Sequence, residues 1–266
     1  MDRGGITREM DVQRRMVAYK TTQAWQQIPH VSFVYEPDVT DFYEEYRALR
    51  EDFRSRGEEL SLNTIFMKAI VEALKAAPQL NAFCHFDPKD NSGRVEMPRE
   101  INVGIPWLLD DGGMITLTAY NMGEKSLSEM SAEVASIRAK VANTDFVKLF
   151  RATAMNMPYG DETTIQPRDI TGGTITISNL GSICRTSGAV ALLEIIPPQV
   201  CAIGLASLAD KPGVFVGASG EKEIGIRKMI SMCIAFDHRA LDFGDVVPFI
   251  NKLDEIFANP SVVCGW

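Results

Sequence analysis

Histidine is scarce in this chain, and its cysteines are scattered. Among 266 residues there are 3 histidines and 5 cysteines, the latter at positions 84, 184, 201, 233 and 264. The cysteines are odd in number and none forms a C-x-x-C pair, so neither a zinc site nor a disulfide framework is indicated. Cys201 and Cys233 sit in apolar runs and read as small core residues. A reducing cytoplasm is therefore the expected compartment. No apolar run approaches the roughly 20 residues that span a bilayer, and the first five residues lack the apolar core of a signal peptide. A net charge of −8, with no basic cluster to offset it, argues against a nucleic-acid surface. No repeat, low-complexity linker or charge block divides the chain. What remains, at 45% hydrophobic and 23% charged, is an ordinary globular sequence large enough for a sizeable core.

Periodicity places most of the elements. Residues 12–27 read as a helix with two adjacent cations, Arg14 and Arg15, near its start, ended by Ile28-Pro29-His30 because the residue before proline avoids helical angles. A strand follows at 31–35. Next comes a helix that Thr40 or Asp41 can cap, with Phe42, Tyr46, Leu49 and Phe53 as its apolar stripe. The charges between 44 and 59 are then its solvated face. Ser61 caps a deeply apolar helix over 62–76. A hairpin is expected from 80–86 and 94–97, and two strands from 101–108 and 114–119. Leu127, Met130, Val134, Ile137 and Val141 mark one face of a long helix. Residues 143–168 read as a short helix and a surface connection, with a lid the less favoured reading. Beyond them lie a strand starting near 175, a loop and buried strand over 195–206, strands at 214–216 and 228–236, and a last helix ended by Pro260. Helices come singly or in pairs between strands, which predicts one α/β domain with a mixed sheet and helices mainly on one side.

The chemistry concentrates at residues 236–244 (Phe-Asp-His-Arg-Ala-Leu-Asp-Phe-Gly). His238 lies between a buried strand and an amphipathic helix, flanked by Asp237 and Arg239, with Asp242 four residues on. Imidazole titrates near neutral pH, so a positioned histidine can take a proton from a thiol or hydroxyl. The other histidines, His30 at a strand entrance and His85 near a hairpin turn, read as structural, and no carboxylate spacing around either suggests a metal. The glycines at 172, 173 and 181 invite a phosphate-loop reading. Neither G-x-x-x-x-G-K-[ST] nor G-x-G-x-x-G is present, and a strand-bounding turn explains them better.

Several segments together resemble, in order and across nearly the whole chain, the catalytic domain of the dihydrolipoamide acyltransferases, the E2 components of 2-oxo acid dehydrogenase complexes. They are Arg14-Arg15 with Val17-Ala18, Ile28-Pro29-His30, Asp38-Val39-Thr40, Leu80-Asn81-Ala82 and Ile101-Asn102-Val103-Gly104-Ile105. Further along come Gly-Gly-Thr-Ile-Thr-Ile-Ser-Asn-Leu-Gly at 172–181, Pro197-Pro198-Gln199 and Asp237-His238-Arg239 with Asp242. The resemblance implies a two-layer α/β sandwich with a mixed sheet, like chloramphenicol acetyltransferase, and one CoA-dependent acyltransferase domain over 1–266. It also implies the roles of the site residues: His238 as general base for the thiol of CoA or of a dihydrolipoyl group, Ser178 as oxyanion donor, and Asp242 ordering the site by an ion pair. The pair's partner is Arg14, with Arg15 the alternative. Ser178, Asn179 and Ser182 would line the CoA channel. CoA is then a substrate, the lipoyl group comes from another domain or protein, and no metal is needed. The implied assembly is a homotrimer with sites between subunits, His238 and Ser178 lying far apart within one chain, and a larger shell left open.

Departures qualify this. Phe243 delays the glycine that ordinarily follows the second aspartate. Residues 113–119 replace a strand with a central proline, 143–163 look longer than usual, and no lipoyl or subunit-binding domain is read in the sequence. A small-molecule acceptor is therefore the alternative, and a non-catalytic trimeric scaffold of the same fold is the reading from another class.

Overall fold

The strands richest in small and branched apolar residues form the middle of the sheet. The computed structural model describes residues 9–110, 112–184 and 189–266, so the first five residues, read above as carrying no signal peptide, lie outside the described ones. Taken in spatial order, the main sheet holds β1 (His30–Tyr35), β10 (Met232–Asp237), β7 (Cys201–Leu205), β6 (Ile175–Asn179), β4 (Val103–Leu108) and β5 (Met114–Ala119). β6 runs parallel to both β7 and β4, and the other neighbours are antiparallel. The sheet is mixed, as expected.

Alternation along the central strands gives the sheet two different faces. Cys201, Ile203 and Leu205, with Met232, Ile234 and Phe236, turn into the large core. Ala202 and Ala235 turn the other way, into a small cluster with Ile28, Ile195 and the partly buried Leu193. The large core is closed by α2 (Thr40–Ser55), α3 (Leu62–Ala76) and α6 (Phe243–Ala258). Their meeting point is aromatic: the Phe42 ring lies 5.3 Å from Phe66 and 5.1 Å, edge-on, from Phe257. α3 is apolar almost all round and correspondingly buried. Its one buried cation, Lys68, is answered by the Lys125 carbonyl at 2.7 Å and Glu72 at 2.8 Å. Ser61 caps α3 by accepting from the Thr64 N–H. α4 (Leu127–Ala142) opens on a reciprocal Ser126–Glu129 capping box.

Three expectations are corrected, and one is borne out. Thr40 is already helical and the N-cap of α2 is Val39; one residue earlier the Asp38 carboxylate accepts from the Thr40 N–H and hydroxyl at 2.9 and 2.6 Å. Leu80 lies in a 3₁₀ turn, and the first hairpin runs later, as β2 (Phe83–Asp87) and β3 (Ser92–Glu96). The strands read at 214–216 and 228–236 are three: β8 (Ala209–Val216) and β9 (Lys222–Met229) form a separate ribbon, and the chain breaks at Ile230-Ser231 before β10. In that ribbon Phe215 and Arg227 face inward, the guanidinium 4.8 Å from the ring centre. A Cβ at Gly225 would meet the Phe215 ring at 2.8 Å, so the glycine permits the contact. Val214, Val216, Ile224 and Ile226 point outward into the open, and the absence of burial on that side is what hid the strands from a hydrophobicity reading. Finally, 143–168 is a tied-down connection: after α5 (Phe146–Ala154) the Tyr159 hydroxyl accepts from the Asp145 N–H, Thr144 accepts from the Ile165 N–H, and Ile165 is buried.

These contacts rank two substitutions. Phe66→Ala should lower unfolding free energy by ~3–5 kcal/mol and Ser126→Ala by only ~1 kcal/mol, as read from urea denaturation midpoints.

Candidate active site

Everything at the end of β10 is arranged around a carboxylate without water. Asp237 has no exposed surface. It takes Arg239 Nη2 at 2.6 Å and Nε at 3.0 and 3.1 Å, and the Arg239 N–H at 2.9 Å. Its carbonyl accepts from the Ala240 and Leu241 N–H groups, both at 3.0 Å, and the Asp242 N–H donates to Asp245 at the start of α6. The His238 N–H is held by the Pro29 carbonyl at 3.1 Å. The turn is thereby fixed on both sides of the histidine.

That backbone sets the ring. His238 Nδ1 lies 3.1 Å from the Leu241 carbonyl oxygen and 3.4 Å from Asp242 Oδ1. Both are acceptors, so Nδ1 carries the proton and Nε2 keeps its lone pair. The side chain is 49% exposed, which leaves that lone pair open to a ligand. His30 contrasts with it: Nε2 accepts from the Ile195 N–H at 3.0 Å and Nδ1 donates to the Ile28 carbonyl at 2.8 Å. Both nitrogens are spent on structure, as expected. His85 sits 3.9 Å from Glu96 across the first hairpin. Burial pushes the Cys201 thiol up to about 12, and Cys233 also upward, so both stay protonated. Among the described residues no group of three His, Cys, Asp or Glu is placed to share a metal ion.

The expected partner of Asp242 is not there. Among the described residues no ion pair joins Arg14 or Arg15 to Asp242, which instead faces His238. α1 (Val12–Gln27) explains why. Its first turn is tied to β5, where Gln13 Nε2 donates to the Met114 carbonyl and Arg14 lines a cleft with Gly112 and Gly113. β5 is four strands from β10, about 19 Å at the usual strand spacing.

The pleat also divides the candidate channel residues. Ile177 enters the core, so Ser178 faces the side opposite the helices, while Asn179 faces them and donates to Asn63 Oδ1 at 2.9 Å. Asn179 and Ser182 line a cleft of about 380 Å³ with Asn63, Phe66 and Ser207, and Ser178 is outside it. The Asn179 Oδ1 is buried there with no partner among the described residues. Ser178 is in register with Gly204, and Gly204 with Cys233, five residues short of His238. Two strand spacings of about 5 Å and five residues of about 3.3 Å put Ser178 about 19 Å from His238. One chain does not bring the two together.

Sequence reading missed how the quoted motifs are joined. Thr174 donates to Asn81 at 2.5 Å, Thr176 to Gln199 at 2.8 Å, and Gln199 Nε2 to the Gly173 carbonyl at 2.9 Å. Threonines on the open face of β6 were the available signal. Arg239 was noted only as a flanking charge, whereas it neutralises the buried Asp237. Arg239→Ala leaves that carboxylate unanswered and should cost ~3–5 kcal/mol of stability, read by urea denaturation, with Arg239→Lys recovering only part of it.

The family model of the 2-oxoacid dehydrogenases acyltransferase (catalytic domain) matches residues 4–148 and 137–264. The dihydrolipoyllysine-residue acetyltransferase component of the pyruvate dehydrogenase complex of Mycobacterium bovis is 27% identical over 252 residues, covering 94% of this chain and 40% of that protein. The lipoamide acyltransferase component of the branched-chain alpha-keto acid dehydrogenase complex of Pseudomonas aeruginosa is 29% identical over 250 residues, covering 94% and 51%. The chain thus spans about half, or less, of these relatives. Two solved structures share the fold at TM-score 0.73 and 20% identity, covering 99% of this chain and 96% of theirs. One is the cubic core of a pyruvate dehydrogenase multienzyme complex, the other the Azotobacter vinelandii dihydrolipoamide acetyltransferase. By sequence along nearly its whole length, this chain belongs to the family of 2-oxoacid dehydrogenase acyltransferase catalytic domains.

Proposed function

We propose that the chain is a single CoA-dependent acyltransferase domain that moves an acyl group between CoA and a dihydrolipoyl thiol, in sites shared by two chains of a homotrimer. The observation that carries this is the His238 ring, with Nδ1–H held by two acceptors and Nε2 open. An ordinary thiol has a pKa near 8.5, so a neighbouring base raises the supply of thiolate. Nε2 takes the thiol proton as the sulfur attacks the thioester carbonyl. The Ser178 hydroxyl of a neighbouring chain donates to the resulting oxyanion. Collapse breaks the old carbon–sulfur bond, and the leaving thiolate recovers the proton from His238. Asp242, beside Nδ1, orients the ring in place of the ion pair first expected of it.

Two observations support the shared site, and a third supports the residues in it. Ser178 is out of His238's reach within one chain. Tyr19 and Trp25 of α1 stand 67% and 71% exposed, and Val190 and Leu192 are also open, a surface suited to a second copy. The Azotobacter vinelandii work concerns the role of a serine, a histidine and an asparagine in the catalytic mechanism, the last two spaced as His238 and Asp242 are. The names of the relatives favour a lipoyl acceptor, carried by another domain or protein. The solved cubic core favours trimers that assemble further. No helix among the described residues is long and apolar enough to cross a membrane, and a cytoplasmic location fits the scattered thiols.

Thiol release from acetyl-CoA with dihydrolipoamide tests the reaction. His238→Ala and Ser178→Ala should each lose activity, the latter by ~10²–10³. Co-assembling the two inactive variants should restore part of it, because some interfaces then join an intact histidine to an intact serine. Absence of turnover with a panel of acyl-CoAs and acceptors would favour a scaffold, and turnover with a small acceptor alone would replace the lipoyl assignment.

A further inference from the structure

Beside Arg239 lies a cleft that the reaction above leaves unused. It measures about 740 Å³ and is lined by α1, by the β2–β3 hairpin, by Pro197-Pro198 and by Arg239. The volume falls in the range of small-ligand sites. From α1 come Lys20, Gln23 and Gln27, whose spacing puts them on one helix face. From the hairpin come His85 and Arg94, which are directly opposed across the two strands. Arg239 enters from the third side, its Nε and Nη2 fixed on buried Asp237.

Two cations of this cleft, Lys20 and Arg94, have no ion-pair partner among the described residues, in a chain of net charge −8. The one carboxylate lining the cleft, Asp87, is turned to the Lys89 N–H in the hairpin turn at 2.9 Å. The nearby Glu96 faces His85. The lining is thus rich in N–H donors, with ammonium and guanidinium groups on opposite walls and two amides between them. Such a set suits an anion with several oxygens around one centre, to which guanidinium and ammonium groups donate charge-assisted hydrogen bonds. Cys84, held above its ordinary thiol range mainly by burial, adds a neutral wall and no competing charge.

We propose that this cleft binds a phosphate-bearing small molecule, with Lys20 and Arg94 as its principal charge partners and Gln23 and Gln27 as amide contacts. Two sources share that chemistry. One is the phosphate end of CoA, an assignment that rests on the acyltransferase reading. The other is an independent phosphorylated ligand, which does not.

The assembled protein would be titrated calorimetrically with inorganic pyrophosphate and with adenosine 3′,5′-bisphosphate. Wild type should bind at least one of them, and the double variant Lys20→Ala/Arg94→Ala should bind it at least ~10-fold more weakly. Both side chains are exposed, so folding should be unaffected, which circular dichroism would confirm. Binding should also weaken as salt is raised. His238→Ala should bind these anions as wild type does, so failure of the proposed reaction and failure of this site are read separately. A raised KM for acetyl-CoA with kcat retained in the double variant would assign the site to CoA. An unchanged KM beside lost pyrophosphate binding would assign it to a separate ligand. No binding of either probe, or equal binding by wild type and the double variant, would overturn the proposal.

Discussion

A carboxylate removed from water must be answered where it lies, and the answer to Asp237 is Arg239. The bidentate contact folds residue 239 back onto residue 237, so the residue between them has to project outward. That residue is His238. Desolvating that carboxylate with no partner would be costly enough to unmake the turn, so the ion pair and the outward imidazole are one structural decision. The Pro29 carbonyl and the cap of α6 then remove the remaining freedom. Histidine geometry here comes from backbone and charge, with Asp242 beside Nδ1 at the exposed edge.

The sheet's pleat is the second organising constraint. Its helix-facing side carries branched and aromatic residues, while the middle of the other side carries Thr176, Ser178, Ala202, Gly204 and Ala235. Among the described residues, the apolar side chains packed against that middle are Ile28, Ile195 and Leu193. A face this lightly furnished leaves room for something outside the chain, and Ser178 stands on it. Asn179, one residue on, belongs to the other world of the helices and to Asn63.

Elements with one buried stripe were legible in the sequence. α3 begins where Ser61 places it, and the residues that α4 turns to the core are those that its periodicity names. Legibility failed where burial and pattern part company. The β8–β9 ribbon hides its strands because its apolar residues face outward, and β10 was read as beginning too early because Lys228 and Met229 continue its apolar run without a visible stop. Arg14 was misplaced for a different reason. A motif fixes neighbours along the chain, whereas the partner of a side chain depends on which sheet edge its helix starts from. The histidine corner itself was legible, because a buried strand, a capped helix and alternating charges are all local signals.

α1 carries a last consequence. It buries little besides Ala24, yet it holds Trp25 over the His30 ring, with centroids 5.6 Å apart. Of the three indoles, Trp107 and Trp266 pack against the core and Trp25 stands in the open. The chain therefore carries an optical probe on the surface where subunits would meet. Any molecule that settles there shields that indole from water, and its fluorescence will register the event without a label.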